Sequence, residues 1–342
     1  MIEAERTAGV GVAGVHHVGL VVRDIGAARA DFARLGFVVP PAIFPALPPA
    51  PGEVPRAFGA GNTHIEFATA FLELVAVVGD GSADPSAGGA VHQDATIQVI
   101  DAPDSALPRL AEVIASTAAR LRAALDRYEG LHILAFHAPD ADLAAAGLDR
   151  LGIRHSGVQR MSRPVETPDG PIAEPIGYLE LDDSGNTPEG RLAIAENPPA
   201  DVLRRRQVPD HPNGATGLTE VYLGIDDAEL DRHVDRYGRY LDRVPRWEGP
   251  AAVFDLDETR VVLVPFSAVA TVLPGEQPKG PAPCLLACTV GIRDLAATGA
   301  YLRAHRIPVR RHGDRLLVPA AVARGAAMIF ERTRGTGEKG RP

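Results

Sequence analysis

The order strand, helix, strand, strand, strand recurs four times along this chain of 342 residues, and this recurrence restricts the fold most. The first copy opens with an apolar run at residues 15–22. A helical pattern follows at residues 25–35, with Asp24 as its predicted N-cap. Residues 63–67 and 71–78 are then predicted as strands. Each copy is called a module below.

Shorter segments complete this pattern. Residues 37–39 are predicted to begin another strand, the Pro-rich residues 40–55 to form a loop or an irregular edge strand, and residues 106–127 to form a longer helix between modules one and two. Module two is predicted to have a strand at 131–136, a helix at 140–151 and strands at 177–181 and 191–195. Module three is predicted to have a strand at 218–223, a helix at 228–241 and strands at 252–256 and 260–264. Module four is predicted to have a strand at 285–290, a helix at 295–305 and strands at 315–318 and 326–330.

Composition excludes several classes of partner. The formal net charge of −9 opposes binding to phosphate backbones and to anionic lipid. No uncharged apolar run approaches the roughly 18 residues that a membrane span needs, and no basic segment followed by an apolar one marks a leader. Cys284 and Cys288 give neither a disulfide framework nor a paired-cysteine metal knuckle. We expect a cytoplasmic protein that acts on a small molecule, without nucleic-acid or membrane partners.

The modules group into two predicted domains. A join rich in Pro, Arg and Asp at residues 198–214 separates the second module from the third. We expect an N-terminal module pair at residues 13–204 and a C-terminal pair at residues 213–332. Residues 333–342 are polar and Gly-rich and are predicted to be a disordered tail.

The opening run HHVGLVVRD at residues 16–24, within four such modules, resembles the vicinal oxygen chelate superfamily. That superfamily includes glyoxalase I and extradiol ring-cleaving dioxygenases. The runs SRP at 162–164, PDG at 168–170 and HPNG at 211–214 are similar to its glyoxalase-like domain branch. The resemblance implies an α+β fold of four βαβββ modules arranged as two paired-module cups.

The resemblance also implies a metal site. Family ligands lie on the first and last strands of each module. His17 lies seven residues before the capping Asp24, and Glu73 is the acid within an apolar run. His132 opens the first strand of module two, and Ala193 occupies the fourth position. His17, Glu73 and His132 would therefore hold a divalent metal, with iron(II) favoured over manganese, nickel or zinc.

Glu73 needs an explanation even without the resemblance. A carboxylate among apolar strand residues loses several kcal/mol of hydration unless a cation or hydrogen bonds compensate. A metal ion is one compensating partner, and Arg23 or Arg29 is another. The residues alone leave both interpretations open.

Other polar residues are candidates for acid–base chemistry. His64 and Glu66 share one face of a strand, and Tyr178 and Glu180 share another. We interpret His64, Glu66 and Tyr178 as catalytic candidates, with solvated polar faces as the alternative for both pairs. His16 is expected to point to the opposite face from His17 and to be structural.

Two further interpretations concern the C-terminal half, and a third concerns the join that precedes it. Glu331 would replace His132 as a ligand if module one paired with module four. The first-strand positions of modules three and four carry no histidine, so this half is interpreted as a scaffold; those positions hold Thr219 or Glu220 and Ala287 or Cys288. Residues 204–206, three consecutive arginines, are interpreted as a solvated linker.

Together these features predict a metal-dependent enzyme, favouring an iron(II) ring-cleaving dioxygenase-like oxidoreductase that acts on a small oxygen-chelating substrate. A lyase or isomerase similar to glyoxalase I is the alternative. The third hypothesis is a resistance protein that binds a small molecule without catalysis. A homodimer is compatible with each of the three hypotheses.

Overall fold

The computed structural model describes residues 9–48, 53–78, 93–100, 102–103, 105–182 and 187–333. These residues form two separate β-sheets with helices, which is the predicted α+β architecture. The predicted disordered tail lies outside the described residues, apart from Thr333. No helix in the described part of the chain is long and apolar enough to cross a membrane.

The N-terminal sheet is built from modules one and two. Its strand order is β3-β2-β4-β5-β1-β7-β10-β9-β8, and β6 pairs with β2. The strands are β1 Gly14–Val21, β2 Ile43–Leu47, β3 Arg56–Ala57, β4 Ala60–Glu66, β5 Phe71–Val77, β6 Thr96–Val99, β7 Gly130–His137, β8 Gln159–Thr167, β9 Gly170–Glu180 and β10 Arg191–Ala195.

The C-terminal sheet is built from modules three and four. Its strand order is β12-β13-β14-β11-β15-β18-β17-β16. The strands are β11 Ala215–Ile225, β12 Arg246–Glu248, β13 Ala251–Asp255, β14 Arg260–Pro265, β15 Cys284–Ile292, β16 Arg310–His312, β17 Arg315–Val318 and β18 Ala327–Arg332.

The four module helices and the long helix between modules one and two follow the predicted positions, whereas the short helices at residues 200–205 and 269–272 were not predicted. In three modules the helix begins at an aspartate whose carboxylate accepts a backbone N–H of the first turn, namely Asp24, Asp140 and Asp294. The α-helices are α1 Ile25–Arg34, α2 Leu107–Arg127, α3 Ala141–Arg150, α4 Ala200–Arg205, α5 Leu230–Leu241, α6 Val269–Val272 and α7 Leu295–Ala304, with 3-10 turns at Asp227–Glu229 and Phe266–Ala268.

First strands join the modules in pairs. Strand β1 lies antiparallel to β7, and β11 lies antiparallel to β15. Module one therefore pairs with module two. The arrangement in which Glu331 would replace His132 beside His17 is not formed, because Glu331 lies in β18 of the other sheet.

One face of the N-terminal sheet forms the candidate site. Strand alternation puts Leu72 and Leu74 in the main core, whereas Val75 and Val77 face the other way. We call this second face, which also carries Glu73, the N-terminal cup. Helix α2 covers one end of the cup, because its buried residue Leu121 joins the same apolar cluster as Val75 and Val77.

Several short segments differ from the sequence-based expectation; strands β8, β12 and β16 were not predicted. Residues 37–39 are not a strand, because the N–H of Phe37 bonds the carbonyl of Phe32 and the N–H of Val38 bonds His211 Nδ1. Strand β6 was not anticipated, since all four of its residues are exposed and leave no hydrophobic signal. Strand β2 lies within the Pro-rich segment.

Candidate functional site

A β-bulge brings two histidines together at the start of the cup. The pairing of β1 with β7 shifts register between Val15 and His17, so His16 is the extra residue. The Nδ1 atoms of His16 and His17 lie 2.8 Å apart. The expectation that His16 points to the opposite face is therefore wrong. Burial lowers the pKa of His17 to about 3, against the opposing charge of Glu73, so the ring is neutral.

Three side chains of the site pack against the ring of Phe71. His17 stacks on it with ring centroids 4.4 Å apart and an angle of 8° between the planes. The His64 ring lies 4.4 Å from the same ring, and the Arg163 guanidinium carbon lies 4.7 Å from its centroid. Phe71 thus holds a neutral histidine, a second histidine and an arginine around one ring.

Glu73 is compensated by neighbours within the cup. Its Oε1 accepts a hydrogen bond of 2.7 Å from Asn62 Nδ2 and lies 3.9 Å from His64 Nε2. Arg23 and Arg29, the partners considered from sequence, bind backbone carbonyls and Asp94 elsewhere. Burial alone would raise the pKa of Glu73, but the contact and charge of His64 and the Asn62 hydrogen bond together lower it to about 2.

His64 lies between two carboxylates. Its Nδ1 is 3.6 Å from Glu66 Oε1, and its Nε2 faces Glu73. Burial opposes its charged form, but the two carboxylates outweigh this effect and raise the pKa of His64 to about 9. Its side chain is 34% exposed, so an imidazolium faces the open part of the cup.

Two arginines contact the carboxylate of Glu66. Arg163 Nη2 donates to both of its oxygens at 3.3 and 3.2 Å, and Arg206 Nη2 contacts Oε2. Burial would raise the pKa of Glu66, but His64 and these two arginines lower it to about 2. The side chain of Arg206 is only 7% exposed, so the interpretation of residues 204–206 as a wholly solvated linker is wrong at this position.

The module-two side of the cup carries a second polar group. Tyr178 OH donates to Glu180 Oε1 at 3.3 Å, and Arg191 Nε donates to the same oxygen at 2.6 Å. Arg120 of α2 donates to Glu180 Oε2 at 3.0 Å. Burial raises the pKa of Tyr178, so its hydroxyl stays protonated. Tyr178 is therefore a hydrogen-bond donor already engaged by Glu180.

His132 does not join the other predicted ligands. Its Nε2 bonds the carbonyl oxygen of Tyr128 at 2.8 Å, and its ring lies 4.0 Å from the Tyr128 ring. A second bulge in β7 causes this, since the register shifts between the pairs Gly19–Ile133 and Leu20–Leu131. Ile133, which lies seven residues before Asp140, takes the cup position opposite Gly19.

The donor set does not fit an iron(II) site. A Cβ placed on Gly19 would lie 2.8 Å from the Ile133 side chain and 3.0 Å from Glu73 Oε2, so an apolar group faces the carboxylate. Ala193 occupies the fourth position, beside Ala135. Among the described residues, no group of three His, Cys, Asp or Glu side chains is arranged to hold a metal. At the four positions that the resemblance assigns to ligands, only a neutral histidine and one carboxylate remain, fewer than the three protein ligands of open metal sites.

Sequence reasoning missed several residues of this site. Asn62 lies on the same strand face as His64 and Glu66, so strict alternation along β4 was the available signal. Arg163 and Arg206 come from β8 and from the end of α4, and only the tertiary fold brings them to Glu66.

This chain is similar to known proteins in sequence and in structure. Residues 15–241 match the family described as the glyoxalase-like domain. A hypothetical protein from Staphylococcus aureus has a TM-score of 0.54 at 10% identity, covering 93% of this chain and 98% of that one. A catechol 2,3-dioxygenase has a TM-score of 0.50 at 13% identity, covering 97% and 92%. No curated protein matches in sequence. At these identities the structural likeness shows the fold.

Proposed function

Because this chain belongs to the glyoxalase-like domain family of the vicinal oxygen chelate superfamily, we propose that its N-terminal cup transfers protons on a small oxygen-bearing substrate without a resident metal. The reaction class is lyase or isomerase. The observation that carries this proposal is the partly exposed His64, held protonated by Glu66 and Glu73 on the face where the family places its metal.

The imidazolium replaces one function of a metal ion, which is to stabilise negative charge on a substrate oxygen. His64 donates a hydrogen bond to a carbonyl oxygen, and Glu73 accepts the proton from the adjacent carbon. The C–H electron pair then forms the carbon–carbon double bond of an enolate, and the carbonyl π pair moves to the oxygen. Isomerisation follows when the deprotonated carbon bears a hydroxyl. His64 gives its proton to the first oxygen and takes one back from this hydroxyl, which becomes the new carbonyl, while the C=C electron pair takes the proton of Glu73 at the former carbonyl carbon.

Glu73 is a weak base while His64 faces it. A substrate oxygen that draws His64 away weakens this ion pair, and burial then raises the pKa of Glu73. Glu66 is less suited to this role because Arg163 and Arg206 hold it. The site therefore assigns distinct roles to the two carboxylates, with Glu66 positioning His64.

The other two candidate functions have less support. Ring cleavage with iron(II) needs the third protein ligand that Ile133 replaces at the cup. A purely sequestering protein predicts an apolar cup, whereas charged side chains lie at the centre of this one; they are Glu66, Glu73, Arg163, Arg191 and Arg206.

Hydrogen–deuterium exchange tests the proposal. Chelator-treated protein is incubated in D2O with hydroxyacetone or dihydroxyacetone, and deuterium at the carbon beside the carbonyl is followed by NMR. We expect exchange above the buffer rate in the parent protein, and a loss of about 100-fold or more in Glu73→Gln and His64→Gln. Glu112→Gln, an exposed position on α2, is the matched control. Exchange that needs added iron(II), or that is equal in all variants, contradicts the proposal.

A further inference from the structure

The C-terminal sheet encloses a cavity of about 320 Å³ that the proposed chemistry does not use. Polar and apolar residues share its walls, and the apolar ones include Val262, Leu273, Leu317 and Ile329. We call it the C-terminal cavity. Its volume is at the lower end of the range of about 300–1,000 Å³ that small-molecule sites occupy.

A polar group closes one end of the C-terminal cavity. Tyr222 OH donates to Glu220 and accepts a hydrogen bond of 2.7 Å from Arg315 Nη1. Glu220 is buried and also accepts from Thr289 at 2.9 Å, while Arg260 contacts its other oxygen. Each carboxylate oxygen of Glu220 thus has a donor, which leaves this residue unsuited to act as a base.

The charges at this end balance. Glu331 lies beside Glu220 and contacts Arg315 Nη2 at 2.7 Å, and Arg260 lies between the two carboxylates. Two carboxylates therefore face two guanidinium groups. Elsewhere in the lining, Glu248 contacts Arg246, which also pairs with Asp255 outside the cavity lining. A charged ligand would lose its hydration here without meeting an unpaired opposite charge.

We propose that the C-terminal cavity binds a small neutral molecule that has a ring-sized apolar body and one hydroxyl or carbonyl group. The apolar body packs against Val262, Leu317 and Ile329, and the polar group meets Tyr222 and Arg315. This is a second ligand site, separate from the N-terminal cup, and it binds without chemistry.

The helices that cover the two sheets differ in length, and this difference supports the interpretation of the C-terminal cavity as a ligand site and not as a packing defect. In the N-terminal half the 21-residue helix α2 packs into the cup, whereas in the C-terminal half the 4-residue helix α6 covers only one side. A cluster of two carboxylates and two arginines is also a poor way to stabilise a fold, because well-packed apolar residues are often equally stabilising there.

Methyl NMR of the full-length protein tests this proposal with three ligands of one shape and different charge: benzyl alcohol, benzoate and benzylamine. We expect benzyl alcohol to shift the methyl signals of Val262, Leu317 and Ile329, and to bind at least about tenfold more tightly than either charged ligand. Shifts that are absent from these methyls, located only at the N-terminal cup, or equal for the three ligands overturn the proposal.

A pair of alanine substitutions gives an independent readout. Ala251 lines the cavity and Ala300 is exposed on α7. Ala251→Leu fills the cavity and should weaken benzyl alcohol binding about tenfold or more, whereas Ala300→Leu should not change it. Equal affinities of the two variants overturn the proposal. If Ala251→Leu does not fold, the methyl shifts of the parent protein still decide the matter.

Discussion

Which residue faces the cup depends on single-residue shifts in two strands. The bulge in β1 turns His16 toward His17, and the bulge in β7 turns His132 away and puts Ile133 in its place. Alternation predicts faces correctly only where the register is regular, as along β4 and β5. The strand faces of His17, His64, Glu66 and Glu73 could thus be predicted from sequence, whereas His132 was placed on the wrong face. Ile133 has the seven-residue spacing to a capping aspartate that selected His17.

His64 gives the first prediction. Its folded-state pKa of about 9 lies above its ordinary value of 6.5, so its ion pairs stabilise the fold fully below pH 6.5. This stabilisation is lost as the pH rises from 6.5 to about 9. Glu73→Gln removes one carboxylate and should move the His64 midpoint down toward 6.5, as measured by NMR of its ring protons. Glu112→Gln is the control, and an unchanged midpoint in Glu73→Gln would refute the ion pair.

Local signals predicted the elements well where apolar residues repeat. The aspartate caps, the module helices and the first strands follow from hydrophobic period and capping. Strands β6, β8, β12 and β16 were not predicted, because their residues are largely exposed. Residues near an element's end, such as Arg206 after α4, depend on tertiary contacts that no local pattern records.

The arginines after α4 give the second prediction. Arg206 is buried against Glu66, whereas Arg205 has a side chain that is 59% exposed and pairs only with Asp201. Arg206→Ala should lower the free energy of unfolding by about 1–3 kcal/mol, since Glu66 keeps Arg163 but loses a buried partner. Arg205→Ala should cost at most about 0.5 kcal/mol. Urea unfolding measures both, and equal effects would mean that the buried contact does not form.

At the scale of the whole molecule, both sheets share one hydrophobic core. The ring of Phe37 lies 6.1 Å from that of Phe330, and Arg324 of the C-terminal half contacts Asp31 of α1. The chain passes from β10 to β11 through residues 198–214, where the domain boundary is predicted. The division into two domains stays a prediction, and the shared core leads us to expect that the halves unfold together.

Phe37 provides the third prediction. Phe37→Ala removes a buried ring and should cost about 3–5 kcal/mol. Trp247, the single tryptophan, lies in β12 of the other sheet, so its fluorescence reports on the C-terminal half. In Phe37→Ala, the unfolding midpoint measured by Trp247 fluorescence should fall together with the midpoint measured by circular dichroism. The neighbouring exposed Val38→Ala serves as control, and a Trp247 midpoint that stays in place would show that the halves unfold independently.

The N-terminal cup lacks a third metal ligand because Ile133, and not His132, faces Glu73 and His17. Titration calorimetry with Zn²⁺ on chelator-treated protein tests this most directly. The parent protein and His132→Ala should show no stoichiometric binding at the cup, whereas Ile133→His adds a donor beside Glu73 and should create a site of measurable affinity. Stoichiometric binding in the parent protein that is lost in His132→Ala would contradict the account.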